Sequence, residues 1–266
     1  MNTKKNSLQN ITKLTKFEPM SPRKIHYVNS LTTYEQMGNL IRLVKEKNQF
    51  IIETKYDHID KCPQLIQILF AHQFVLHIIL VETSYLPDLA DTILHNLIAH
   101  LFSVILSPIN VIQSWNSIKN DLQLFVDFSI FSSSQIEQIH SVSIQEKFQL
   151  WFKKHFNTLQ LNYIPSTSWP LQMAIAFSSL EYFDTFASKS RDWNIGLFAQ
   201  FETTSDGKAI SDRQTRDLIA DNKRRQTLSQ YAIQEVMAIN QIAALLQNSW
   251  TQANAENYLK ECYSNS

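Results

Sequence analysis

Gln49-Phe50-Ile51-Ile52-Glu53-Thr54-Lys55-Tyr56, followed after a polar turn by Pro63-Gln64-Leu65-Ile66-Gln67-Ile68-Leu69-Phe70, is the stretch that decides the fold. Each half is a short apolar run of strand length, and the turn between them makes the pair a hairpin. Alternate residues of a strand share a face, so Glu53 and Lys55 project together from an apolar segment, beside an interior that disfavours unpaired charge. Two readings follow: a charged pair with a function at the strand end, or a solvated end where both side chains point into water.

The chain has 266 residues, 44% of them hydrophobic and 11% aromatic, enough for one domain of about 220 residues with a large core. Lys plus Arg equals Asp plus Glu at 24 each, so no global field steers the protein, and any polyanion site must be local. Cys62 and Cys262 are far apart in sequence, which gives neither zinc spacing nor a disulfide framework and points to a reducing compartment. The N-terminal segment lacks an apolar signal core. The most apolar tract, Leu65 to Val81, is broken by Gln67, His72, Gln73 and His77, so a soluble intracellular chain, nuclear or cytoplasmic, with no membrane span is expected.

Of the three glycines, Gly38, Gly196 and Gly207, none lies in a phosphate-cradling loop or a nucleophile elbow, which sets aside nucleotide kinases, dinucleotide oxidoreductases and serine hydrolases. The spacing of His72, His77, His95 and His100 does not set two imidazoles on one helix face for a metal.

Around the hairpin, periodicity predicts a strand over Lys24–Val28 and a helix from a Thr32/Glu35 capping box to Lys47. A third strand follows over Phe74–Val81 and a helix over Asp88–Ile105 with Leu89 and Ile93 on its stripe. Next come a strand at Asn110–Ser114, a short helix over Ser117–Phe125 carrying Asp121, a strand at Ile139–Val142 and a helix over Ile144–Phe156. Ser168-Trp169-Pro170-Leu171 reads as a helix start with proline at the first turn. Residues 186 to 222 are polar and aperiodic and read as an insertion or mobile loop before a last helix over Lys223–Gln247. On that helix Glu235 follows Tyr231 by four residues on the apolar stripe, so both side chains face the sheet, and a carboxylate there needs a partner.

In order, these segments resemble the 3'-5' exonuclease domains of the DEDDy type, the ribonuclease-D-like and Werner-type branch of the ribonuclease-H-like superfamily, over residues 25 to 248. Those domains carry Asp-x-Glu on the first strand, an Asp on a helix after a later strand, and Tyr-x-x-x-Asp on the last helix. The matching positions here are Glu53 and Lys55, Asp121, and Tyr231 with Glu235. Trp169-Pro170-Leu171-Gln172-Met173-Ala174 and Ser190-Arg191-Asp192-Trp193 resemble further elements of the family. The resemblance implies an α/β fold, a mixed five-stranded sheet flanked by helices. It also implies a flexible tail over 1–24, an exonuclease-like domain over 25–250 with 186–222 as an insertion, and a C-terminal tail over 251–266.

The chemistry so implied is attack of water on a phosphodiester between two divalent ions about 4 Å apart, held by carboxylates from separate elements. Hard oxygen ligands suit magnesium or manganese. Glu53, Asp121 and Glu235 would hold metal, Tyr231 would place the water, and a DNA or RNA 3' end would be the partner of a monomeric protein. Lys223, Arg224 and Arg225 would touch a backbone phosphate, or form a solvated helix turn. Lys55 stands where the family has an acid, and an ammonium has only donors. At 4 Å and an effective dielectric near 20, a divalent ion beside it meets repulsion of roughly 8 kcal/mol, enough to erase millimolar affinity. Asp57 has the same strand parity, but four residues of strand span about 13 Å. Lys55 is therefore expected to pair with Glu53, Asp121 or Glu235 in place of metal. That leaves two functions open: a weakened metal-dependent exonuclease, or an inactive exonuclease-fold module that binds nucleic acid or protein.

Overall fold

The structure, a computed structural model, describes residues 14–56, 62–155, 168–179, 181–184, 192–197 and 212–248. The hairpin forms as the alternation requires: β3 (Gln49–Tyr56) pairs antiparallel with β4 (Pro63–His72), with Glu53 opposite Gln67 and a bulge at Lys55/Tyr56. Its turn, including Asp57, lies outside the described residues. Strand β4 continues into β5 (Val75–Glu82) through the two-residue turn Gln73-Phe74, both with positive φ. Phe74, expected in the third strand, is instead 99% exposed at the tip of that turn, where it is the second of two positive-φ residues of a two-residue hairpin of the type I′ kind.

The main sheet holds β2 (Arg23–Val28), β3, β4, β5, β6 (Val111–Ser114) and β7 (His140–Ser143) in the order β2-β5-β4-β3-β6-β7. The expected count of five strands becomes six, because β2 adds to the sheet edge parallel to β5. β3, β6 and β7 run parallel, so the sheet is mixed. Within the segment expected as a tail over 1–24, residues 15–16 form a strand. β1 (Thr15–Lys16) pairs parallel with β8 (Glu181–Tyr182), and buried Phe17 meets Phe183 edge to face at 6.0 Å.

Strand alternation splits the core into two layers. Phe50, Ile52, Ile66, Ile68, Ile79 and Val81 face α1 (Tyr34–Lys45), α2 (Thr92–Ile105) and α3 (Ile118–Gln123). Ile51, Leu65, Leu69, Ile78 and Leu80 face α5 (Ile144–His155), α6 (Leu171–Ser179) and α7 (Asp212–Gln247); the short α4 (Ser133–Gln138) closes the first layer. Each fully buried Leu, Ile or Phe in these layers contributes on the order of 2 kcal/mol. Because parity is fixed, Glu53, Lys55 and Gln67 fall on the α7 side. The helices differ from expectation where a polar side chain meets backbone. Thr33 with Gln36, not Thr32 with Glu35, makes the first capping box, and Thr32 instead accepts from Asn29 N. Asp91 caps α2 by accepting from Leu94 N, so the helix starts there and Leu89 and Ile93 are exposed. The last helix begins at Asp212 rather than Lys223, so 212–222 is helix and not loop.

Candidate functional site

Glu235 occupies the apolar stripe of α7 and is 8% exposed, which obliges it to find partners. It has three. The Lys55 ammonium lies 2.7 Å from Oε1 and 2.5 Å from Oε2, the Tyr231 hydroxyl donates to Oε1 at 3.1 Å, and the Gln67 amide donates to Oε2 at 3.3 Å. Lys55 also sits over the Tyr231 ring at 5.3 Å and the Trp193 ring at 6.0 Å, within cation–π range. Of the three partners open to Lys55 from sequence, the structure selects Glu235. The side chain is not in bulk water: the pair is 14% and 11% exposed.

Glu53 lies beside this pair. Its Oε1 accepts from Trp115 N at 2.5 Å, which ties β3 to the end of β6. The residue keeps partial exposure, yet its carboxyl is shut away from water. Burial first, then the charge of Glu235, raises its pKa from the ordinary 4.5 to about 8, with Asp121 adding to the rise and the Trp115 amide and Lys55 opposing it. Asp121, in the first turn of α3, thus acts on the cluster through its negative charge. The structure therefore gathers Glu53, Lys55, Tyr231 and Glu235 from β3 and α7, with Asp121 of α3 acting on Glu53 by its charge.

It does not gather the basic run. Arg225 donates to the carbonyls of Ile195 and Gly196, at 3.2 Å for Gly196, which spends its guanidinium on the 192–197 segment. Lys223 and Arg224 are exposed on α7.

Sequence reasoning passed over three members of the cluster. Gln67 is fully buried, opposite Glu53, with its Oε1 unpartnered among the described residues; its signal was a polar residue at the inward parity of an apolar strand. Trp193 was visible only through the Ser-x-x-Trp resemblance, whose Ser190 and Arg191 lie outside the described residues. Trp115 enters through its backbone N–H, which no side-chain pattern announces.

The resemblance implies magnesium or manganese here, and the residues do not fit two such ions. Both Glu235 oxygens carry the Lys55 ammonium, and Glu53, whose burial raises its pKa and so disfavours the ionised form, already accepts a backbone N–H. Ligand carboxylates must be deprotonated and free to donate. Among the described residues no group of three or more His, Cys, Asp or Glu is arranged to hold a metal ion, and no helix is long and apolar enough to cross a membrane.

No protein-family model matches the chain, and no curated protein matches its sequence. Among solved structures, it is similar to the Aedes aegypti Nibbler EXO domain at 12% identity and a TM-score of 0.43, covering 84% of this chain and 95% of that one. It is similar to Escherichia coli RNase D, an exoribonuclease involved in structured RNA processing, at 14% identity and a TM-score of 0.41, covering 85% of this chain and 51% of that one. The Trypanosoma brucei RNase D complex with RNA U12 gives 11% identity and a TM-score of 0.42 over 95% and 82% of the two chains. The protein is a mixed α/β domain, a six-stranded sheet flanked by helices.

Proposed function

We propose that this protein is an exonuclease-fold module of the DEDDy lineage that binds the 3' end of a single-stranded polynucleotide and does not cut it by the two-metal route. The observation that carries this is the Lys55 ammonium seated on both oxygens of Glu235. Two divalent ions bring four positive charges. Here Lys55 cancels Glu235, and burial holds the Glu53 carboxyl well above the usual carboxylate range, so these acids offer little of the negative charge that two such ions need. Tyr231, the residue that would place the water, has its hydroxyl donated to Glu235 instead.

Polynucleotide as the ligand class is supported by the order of Glu53, Asp121 and Tyr231-x-x-x-Glu235 along the chain, and by exposed Lys223 and Arg224 about two turns before Tyr231 on the same helix. Such cations neutralise backbone phosphates without reading sequence.

The test uses 5'-labelled single-stranded DNA and RNA with manganese, comparing wild type with Asp121→Asn. A shifted band with no ladder of shortened products is expected in both. A ladder made by wild type and absent from Asp121→Asn would establish hydrolysis, and absence of any shifted band would remove nucleic acid as the ligand.

A further inference from the structure

Helix α7 presents a second polar face, one step round from the one that carries Tyr231 and Glu235. A cavity of about 510 Å³ opens there, between β2, the chain at residues 18–20 and α7. Gln226, Gln230 and Gln234 line it at four-residue spacing, so their carboxamides share one helix face. Gln226 and Gln230 are exposed, whereas Gln234 is 8% exposed. The Gln234 carboxamide opens on the cavity and offers a donor and an acceptor to a ligand with matching groups.

The rest of the wall restricts what that ligand is. Tyr27 stands across from α7, its hydroxyl fixed to Ser229 Oγ at 2.7 Å, and Ile25 and Ile233 supply apolar surface. Arg23, which also donates to Pro19 O at 2.8 Å, is balanced by Glu18 on the same cavity. One positive and one negative charge cancel, so the site suits an uncharged ligand better than a phosphate. A flat heterocycle with apolar faces and paired donors and acceptors on its edge meets every one of these features, and the volume is in the range that holds a nucleoside.

We infer that this cavity binds one nucleobase through the carboxamides of Gln230 and Gln234, the base belonging either to a free nucleoside or to a single strand held by the same helix. The strand form rests on the polynucleotide reading above; the nucleoside form does not.

The full chain is titrated calorimetrically with adenosine, guanosine, cytidine and uridine separately, and by fluorescence polarisation with labelled dodecamer homopolymers, in wild type, Gln230→Leu and Gln234→Leu. Gln230 is exposed, so its leucine variant keeps the fold, and matching thermal midpoints verify this for both. Binding of at least one nucleoside is expected, weakened about tenfold by each substitution, with the homopolymer of the same base weakened in parallel. If no nucleoside binds and the homopolymers bind all three proteins equally, the cavity inference falls while the polynucleotide reading stands. If nucleosides bind and lose affinity in the variants but no homopolymer binds, the cavity inference holds and the polynucleotide reading falls.

Discussion

Lys55 is held by charge, by hydrogen bonding and by two aromatic rings, and removing its ammonium leaves Glu235 buried with a phenol and an amide as its remaining donors. Lys55→Met is expected to lower the unfolding free energy by about 3 kcal/mol in urea, at the low end for a broken buried pair because two donors persist. Lys55→Met combined with Glu235→Leu should recover most of that loss, since no charge is then left unpaired; a double variant as unstable as the single one would contradict the pairing. Glu53 adds a pH signature. Its folded-state pKa is raised to about 8, so folding holds a proton that the unfolded chain has lost above 4.5. Stability therefore falls as pH rises from 4.5 to about 8, by at most about 1.4 kcal/mol per unit, and is level above. His26, lowered to about 4 by burial and by His77, 3.0 Å away, contributes the opposite slope between about 4 and 6.5. The difference between wild type and Glu53→Gln isolates the carboxyl: it should change across pH 5–8, and parallel curves would contradict an enclosed acid. At this scale the sequence was informative wherever a charge interrupted an apolar run, as at Lys55 and Glu235, while Asp121, in a polar stretch, came from the family resemblance. It was silent on Trp115, whose contribution is a backbone N–H, and on which of three carboxylates Lys55 would choose, which depends on α7 crossing β3 and β4 at one height.

α7 is the element on which the site depends, and 36 residues of it are helical. Its start escaped sequence reading because residues 212–222 are polar and carry no apolar stripe, so nothing in their period separates solvated helix from loop. Past that stretch, Arg225 fastens the 192–197 segment, and with it Trp193, to the helix that carries Tyr231 and Glu235. Gly196 makes the fit possible: its φ is +76, and a Cβ there would lie 2.8 Å from Tyr85 Cε2 and 3.1 Å from both Arg225 Nη1 and Glu82 Oε2. Glu82, buried at the end of β5, accepts from Asn29 Nδ2 at 2.9 Å and from Leu197 N at 2.5 Å, which closes the same junction. Gly196→Ala is expected to cost about 1–3 kcal/mol, from a left-handed backbone and the displaced tyrosine ring, read as a lower thermal midpoint. An unchanged midpoint would show that the junction is loose. The Asp88–Asp91 turn was misread as helix for a related reason: Leu89 matches helical spacing, and only the Asp91 carboxylate on Leu94 N marks where α2 starts.

For the molecule as a whole, the sheet carries apolar residues on both faces; Glu53, Lys55, Gln67 and Glu82 share the face under α7 and the 192–197 segment, whereas Thr54, Gln64 and His77 take the opposite parity. Strand parity made that grouping legible. The place of β2 in the sheet and the β1–β8 pair were not, although the strand over Lys24–Val28 was, because both attach at edges where pairing partners are distant in sequence. A cluster satisfied by its own ion pair needs no cation to offset repulsion among carboxylates, so the domain is expected to keep its thermal midpoint when metal is chelated. The direct measurement is calorimetric titration of manganese into the purified protein and into Lys55→Glu. Wild type should give no binding at micromolar affinity, and Lys55→Glu should gain it, because the substitution removes the ammonium and supplies an acid to the cluster. Micromolar binding by wild type, abolished by Asp121→Ala, would contradict replacement of the metal by Lys55.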